Sequence, residues 1–231
     1  MNFDQLAWGA VCFYYRSVGD RKYGRVISDT TFISKLRTAP SQISVAEFEE
    51  KVVLRHVNVE NYDLLIGHKL AETILAKIIE LEKDILSLQN IGLLECDLSD
   101  NNTAEKICNI YAALYSINGL WVTGVSKIAH LLNDRLFALL NLNISNHFQL
   151  LDGETSLIKW IKIIQQNARE VTQDFNEKGH TGSPEMFLSR KLGYTDIGYE
   201  KSLIKFIDEY FWLRWGDDLP VPPRWAPPLA V

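Results

Sequence analysis

Cysteine is scarce in this sequence: three residues, Cys12, Cys96 and Cys108, stand far apart in 231. None belongs to a CxxC pair, so neither a disulfide framework nor a thiolate metal ribbon is expected. Reduced thiols in a cytoplasmic protein are the simplest reading. Long apolar runs are missing too, and nothing approaches the ~18 residues that a membrane span needs. The opening MNFDQLAWGA has no basic stretch ahead of an apolar one, which argues against a signal peptide. Positive charge is in deficit, with 24 Lys and Arg against 29 Asp and Glu, a net charge of −5. Any polyanion would have to be met by a local basic patch on a repulsive body. Alternating strand patterns are scarce. Proline is nearly absent until Leu219–Val231, which holds five of the seven.

What is present is an ordinary globular balance, 47 % hydrophobic and 23 % charged, sufficient for a sizeable core. Apolar residues recur at helical spacing over Phe3–Ser17, Asn61–Leu88 and Thr155–Asn167. The middle stretch carries Ile66, Leu70, Ile74, Ile78, Leu81, Ile85 and Leu88 on one face. Ser44 with Glu47 reads as a capping box opening a helix toward His56, and Asn102 with Glu105 as a second helix start. Ser183-Pro184-Glu185 offers an N-cap, a proline at the first helical position and an early acid, with Gly193 ending that helix. Tyr199–Trp215 reads as an aromatic-rich last helix. Val18–Arg25 and Asn176–Ser183 read as loops, and Arg135–Leu140 as extended or irregular. The fold class predicted is all-α, with at most a short strand near Val26 or Phe137. The expected organisation is an N-terminal helical portion over 1–56, a helical core over 57–215 and a proline-rich tail over 216–231.

One segment carries chemical information. A helix ends near Gly119, and Thr123-Gly124-Val125-Ser126 reads as a tight turn into a short helix, Lys127–Leu132. This is the outline of a helix-hairpin-helix. Its turn would present backbone N–H groups at a helix N-terminus, where the dipole favours an anion such as a phosphate, and glycine would allow close approach. Plain αα packing is the competing reading of the same turn.

The run Asn118-Gly119-Leu120-Trp121-Val122-Thr123-Gly124-Val125-Ser126-Lys127-Ile128-Ala129-His130-Leu131-Leu132, followed by Asp134-Arg135-Leu136-Phe137, resembles the hairpin region of helix-hairpin-helix DNA glycosylases. It is similar above all to a group of poorly characterised bacterial proteins of that fold. Lys201–Tyr210 resembles that group's last helix. The resemblance spans about half of the chain, from Val57 to Phe148 and again near the C-terminal helix. It implies a catalytic carboxylate shortly after the hairpin helix, to stabilise oxocarbenium charge and orient the attacking group. The matching position holds Asn141, which has no charge and cannot act as a base; Asp134 falls before the extended segment rather than after it. The resemblance also places a lyase nucleophile at Lys127, which would attack only with a lowered pKa. With its partner carboxylate missing, Lys127 is expected to be solvated or to contact phosphate.

Other candidates are fewer. His56, His68, His130, His147 and His180 have no HxxxH or HxH spacing and no nearby cysteine, so neither a metal nor a cofactor is expected. His130 should make a core-edge hydrogen bond and His180 should be solvated. Arg16, Arg21, Lys22 and Arg25, interleaved with Tyr14, Tyr15 and Tyr23, form a basic cluster that reads either as a phosphate-binding patch or as a charged surface loop. Phe211, Trp212, Trp215 and Trp225 either fold back over the domain or dock on a partner or a second copy. Three functions therefore stand: a nucleic-acid-associated protein without glycosylase chemistry, a non-enzymatic protein-interaction or assembly subunit, and an active glycosylase or lyase using Lys127.

Overall fold

The computed structural model describes residues 1–16, 24–57, 64–150, 153–195 and 200–216. Among them the secondary structure is helical throughout, with no strand at Val26 or Phe137. No helix among the described residues is long and apolar enough to cross a membrane. The loop reading of Val18–Arg25 lies mostly outside the described residues, as does the tail with Trp225.

Helix α1 (Phe3–Arg16) buries Phe3, Leu6, Ala7, Ala10 and Phe13. Asp29 caps α2 (Thr30–Thr38) by accepting from the Phe32 amide. Ser44 accepts from the Glu47 amide and so caps α3 (Val45–Phe48), which runs directly into a π-helical stretch, Glu49–Val57; the Glu47 carboxylate takes Lys51 instead of closing the capping box. The long helix read over Asn61–Leu88 is two: α4 (Leu64–Glu80) and α5 (Glu82–Leu88), parted at Leu81, whose ψ of 2° leaves the helical region. The second start is also displaced. Asp100, not Asn102, caps α6 (Asn101–Tyr115), taking the Asn102 and Thr103 amides; the Thr103 hydroxyl holds the Asp100 carboxyl below the usual carboxylate range.

Next come α7 (Val122–Leu132), α8 (Leu142–His147), α9 (Gly153–Glu177), α10 (Pro184–Lys191) and α11 (Leu203–Phe211), the last running into a π turn, Trp212–Gly216. Helix α9 outruns its predicted end at Asn167 because its apolar stripe continues: Leu157, Trp160, Ile161, Ile164, Ala168, Val171 and Phe175 are all buried. Ser183 caps α10 as read.

One contiguous core runs from Phe3 to Phe211. Helix α11 is its axis: all nine of its residues are buried, and it packs against α1 and α9. Three of the nine are charged, so burial demands pairing. Lys201, also buried, places Nζ 2.8 Å from Glu209 Oε1 and 2.8 Å from the Tyr194 hydroxyl. Lys205 Nζ lies 3.0 Å from Asp208 and 3.3 Å from Glu209. Phe211 and Trp215 fold back onto the domain, with Trp215 stacked on His147 and edge-on to Phe148.

Candidate nucleic-acid interface

Helices α6 and α7 are joined by a short turn and pack on each other, but that turn is not where the sequence suggested. Thr123, Gly124, Val125 and Ser126 are the first full turn of α7, with the Val125 amide donating to Trp121 O at 2.9 Å. The turn is 116–121, pivoting on Gly119 at φ +87°, a conformation that glycine alone adopts without strain. Gly124 serves packing rather than ligand approach. A Cβ there would meet Leu120 Cδ1 at 2.7 Å and Val57 Cγ1 at 3.2 Å. Gly124, Val125 and Ser126 are buried, so their side of the helix faces the core and not a phosphate.

Ser126 makes the most specific contact in the region. Its hydroxyl lies 3.0 Å from Leu140 O and 3.1 Å from Thr123 O, and accepts the Leu140 amide at 2.9 Å. One side chain thus satisfies both backbone groups of a residue in the irregular 135–141 segment. This clasp brings the backbone beside Lys127 against the backbone beside Asn141. Asn141 itself is the N-cap of α8: its Oδ1 accepts the Ile144 amide at 2.8 Å. Lys127 is half-buried, and a backbone hydrogen bond joins it to the buried His56.

Two histidines line the inner side of α7. The His130 Nδ1 lies 2.6 Å from Phe137 O, which fixes the Nδ1–H tautomer and meets the expected core-edge hydrogen bond. Burial lowers the His130 pKa, and burial first, then the charge of Lys127, pushes His56 down to about 3. His180, expected to be solvated, instead stacks on Phe175 (ring centroids 4.9 Å apart) and packs on Phe3 and Phe187. The imidazole is flat and amphipathic, so it joins this aromatic cluster readily.

The basic cluster is not assembled by anything described. Arg25 is exposed in a short helical turn at 24–27, Arg16 ends α1, and Arg21 and Lys22 lie outside the described residues. A separate cleft of about 350 Å³ is lined by Gly92, Glu95, Asp134, Arg135, Glu185 and Glu200 among others, but by neither Lys127 nor Asn141. Asp134 in its wall is ion-paired with Arg37 at 2.7 Å. No group of His, Cys, Asp and Glu among the described residues could hold a metal ion.

What the sequence reading passed over is the outer surface of the hairpin. Trp121, at the end of the turn, is 78 % exposed, and Leu142, first residue of α8, is 58 % exposed. Tyr115 before the turn is exposed as well. The charge pattern around them was available in the sequence: from Ile107 to Asn133 and from Arg135 to Leu151 there is no Asp or Glu. Over 106–151 the charged residues are Lys106, Lys127 and Arg135, with Asp134 alone opposing them, in a chain of net charge −5. No family model, curated protein or solved structure matches the chain.

Proposed function

We propose that the chain is a nucleic-acid-binding helical protein, built on a glycosylase-like hairpin but without glycosylase chemistry. The observation that carries this reading is an exposed tryptophan at the start of α7 and a half-exposed lysine further along it, in a stretch, 107–133, whose sequence holds no carboxylate although the chain is acidic. Trp121 gives α7 no side-chain cap, and the amides of Val122 and Thr123, ahead of the buried Gly124, lie at the positive end of the helix dipole, which favours the charge of a phosphate. The resemblance of Asn118–Phe137 to glycosylase hairpins points the same way. The absence of base cleavage follows from Asn141: its carboxamide oxygen is engaged by the Ile144 amide, and it cannot ionise.

The test is binding of an oligonucleotide at low and moderate salt. Affinity should fall steeply with ionic strength, and Lys127→Glu should weaken binding and flatten the salt dependence by about one counterion for the charge lost. Absence of binding at about 20 mM salt, where the Debye length is roughly twice its value at 0.1 M, overturns the reading. Borohydride should trap no covalent adduct through Lys127 on abasic DNA; a trapped adduct lost in Lys127→Gln would assign a lyase instead.

A further inference from the structure

Trp121, 78 % exposed on the turn before α7, presents both faces and the edge of a large aromatic ring to an incoming partner. Its surroundings say of what kind. The exposed positions on the same turn and on α8 include three amides, Asn118, Asn143 and Asn146, beside Ser116, Leu142 and His147. Amide groups suit the mixed donor and acceptor edges of bases. The Ser126–Leu140 clasp ties α7 to the segment that leads into α8, so both stretches belong to one rigid body rather than to independent loops. The carboxylates that would repel a phosphate backbone are missing from the whole stretch except for Asp134, which Arg37 neutralises. An exposed flat ring on a stretch whose sequence carries no acid but the paired Asp134 is matched to a flat, polyanionic partner.

We infer that Trp121 is a stacking platform for an unpaired base, so that the protein prefers single-stranded to duplex nucleic acid. The inference rests on the nucleic-acid reading above and names the substrate class of that same surface. A stacked base in a regular duplex has no open face to offer, whereas an unpaired base has two. Base–aromatic stacking is strong enough to decide between the two forms even though the electrostatic attraction is shared. Lys127, one turn and a half along α7 from Trp121, then supplies charge to the backbone without choosing between them.

Fluorescence anisotropy with a labelled 20-nucleotide oligothymidylate and with a mixed-sequence duplex of equal length separates the possibilities. The wild-type chain should bind the single strand about tenfold or more tightly than the duplex. Trp121→Ala should lower single-strand affinity far more than duplex affinity and so remove that preference, and Trp121→Phe should restore part of it. Trp121 makes no cap and is exposed, so the variants keep the fold, checked by an unchanged far-UV spectrum and Tm. Equal binding of both forms by wild type and Trp121→Ala overturns the stacking role while leaving nucleic-acid binding intact. Failure to bind either form overturns the nucleic-acid reading and this inference with it. A dimer that Trp121→Ala dissociates, in sedimentation at micromolar protein, also overturns it and makes the surface an interface between copies.

Discussion

At the scale of single residues, the two sides of polar burial meet in Tyr111 and Glu209. The Tyr111 hydroxyl is buried with no hydrogen-bond partner among the described residues, its ring edge-on to Phe137, and burial alone pushes its phenol above the ordinary range. A desolvated, unsatisfied hydroxyl is a net cost. Tyr111→Phe should therefore leave thermal stability unchanged or raise it by up to about 1 kcal/mol; a clear fall in Tm would show that the hydroxyl matters. Glu209 is the opposite case, a buried carboxylate within reach of both Lys201 and Lys205. Glu209→Ala strands a buried ammonium and should cost about 3–5 kcal/mol in urea unfolding. Adding Lys201→Met should recover a large part of that loss, because removing both charges together leaves no orphan.

At the scale of elements, most helix starts reduce to one side chain. Asn141 caps α8, and aspartate caps as well as asparagine does. Asn141→Asp should therefore hold stability within about 0.5 kcal/mol, while Asn141→Ala should lose about 1 kcal/mol, both read from urea midpoints. Such local chemistry is what the sequence makes legible: Ser44 and Ser183 were recognisable as caps from their own neighbours. Asn102 yields the cap to Asp100, which accepts the Asn102 and Thr103 amides and, in addition, the Thr103 hydroxyl. Gly124 was misread for a different reason. Glycine signals either a turn or a close approach of backbone to something else, and only the positions of Leu120 and Val57 show which. The true pivot was the neighbouring glycine, Gly119. Resemblance located Asn141 and Lys127, but it could not show that Ser126 clasps Leu140 between them, since that contact spans fourteen residues. The exposure of Trp121 was likewise invisible to a periodicity argument, which counts tryptophan as core.

At the scale of the whole molecule, the buried histidines set the response to acid. His56 and His130 take up protons in the unfolded chain near pH 6.5 but, held neutral by burial, resist doing so when folded. More protons bind to the unfolded state, so stability is complete above about pH 6.5 and is lost as the pH falls from there toward 3. His56 alone contributes a slope of about 1.4 kcal/mol per pH unit across that window, and His130 steepens it. The carboxylates held low by their partners, Asp29, Asp97, Asp100, Glu170 and Asp174, act only nearer their own pKa values. Urea midpoints should therefore already drop between pH 7 and pH 5, and His56→Leu should reduce that drop. A flat profile over that interval would mean that the two histidines titrate alike in both states.

The hydroxyl of Ser126 has one further consequence, for isotope exchange. The Leu140 amide belongs to no helix, and amides of irregular segments ordinarily exchange with solvent deuterium through small local fluctuations. This one is buried and bonded to a side chain anchored in α7, so releasing it requires α7 to part from the segment leading into α8. Leu140 should therefore exchange as slowly as the amides in the middle of α7, and follow the same dependence on denaturant. In Ser126→Ala it should exchange orders of magnitude faster while the α7 amides hold their protection, which makes a single non-helical amide a clock for the integrity of the hairpin.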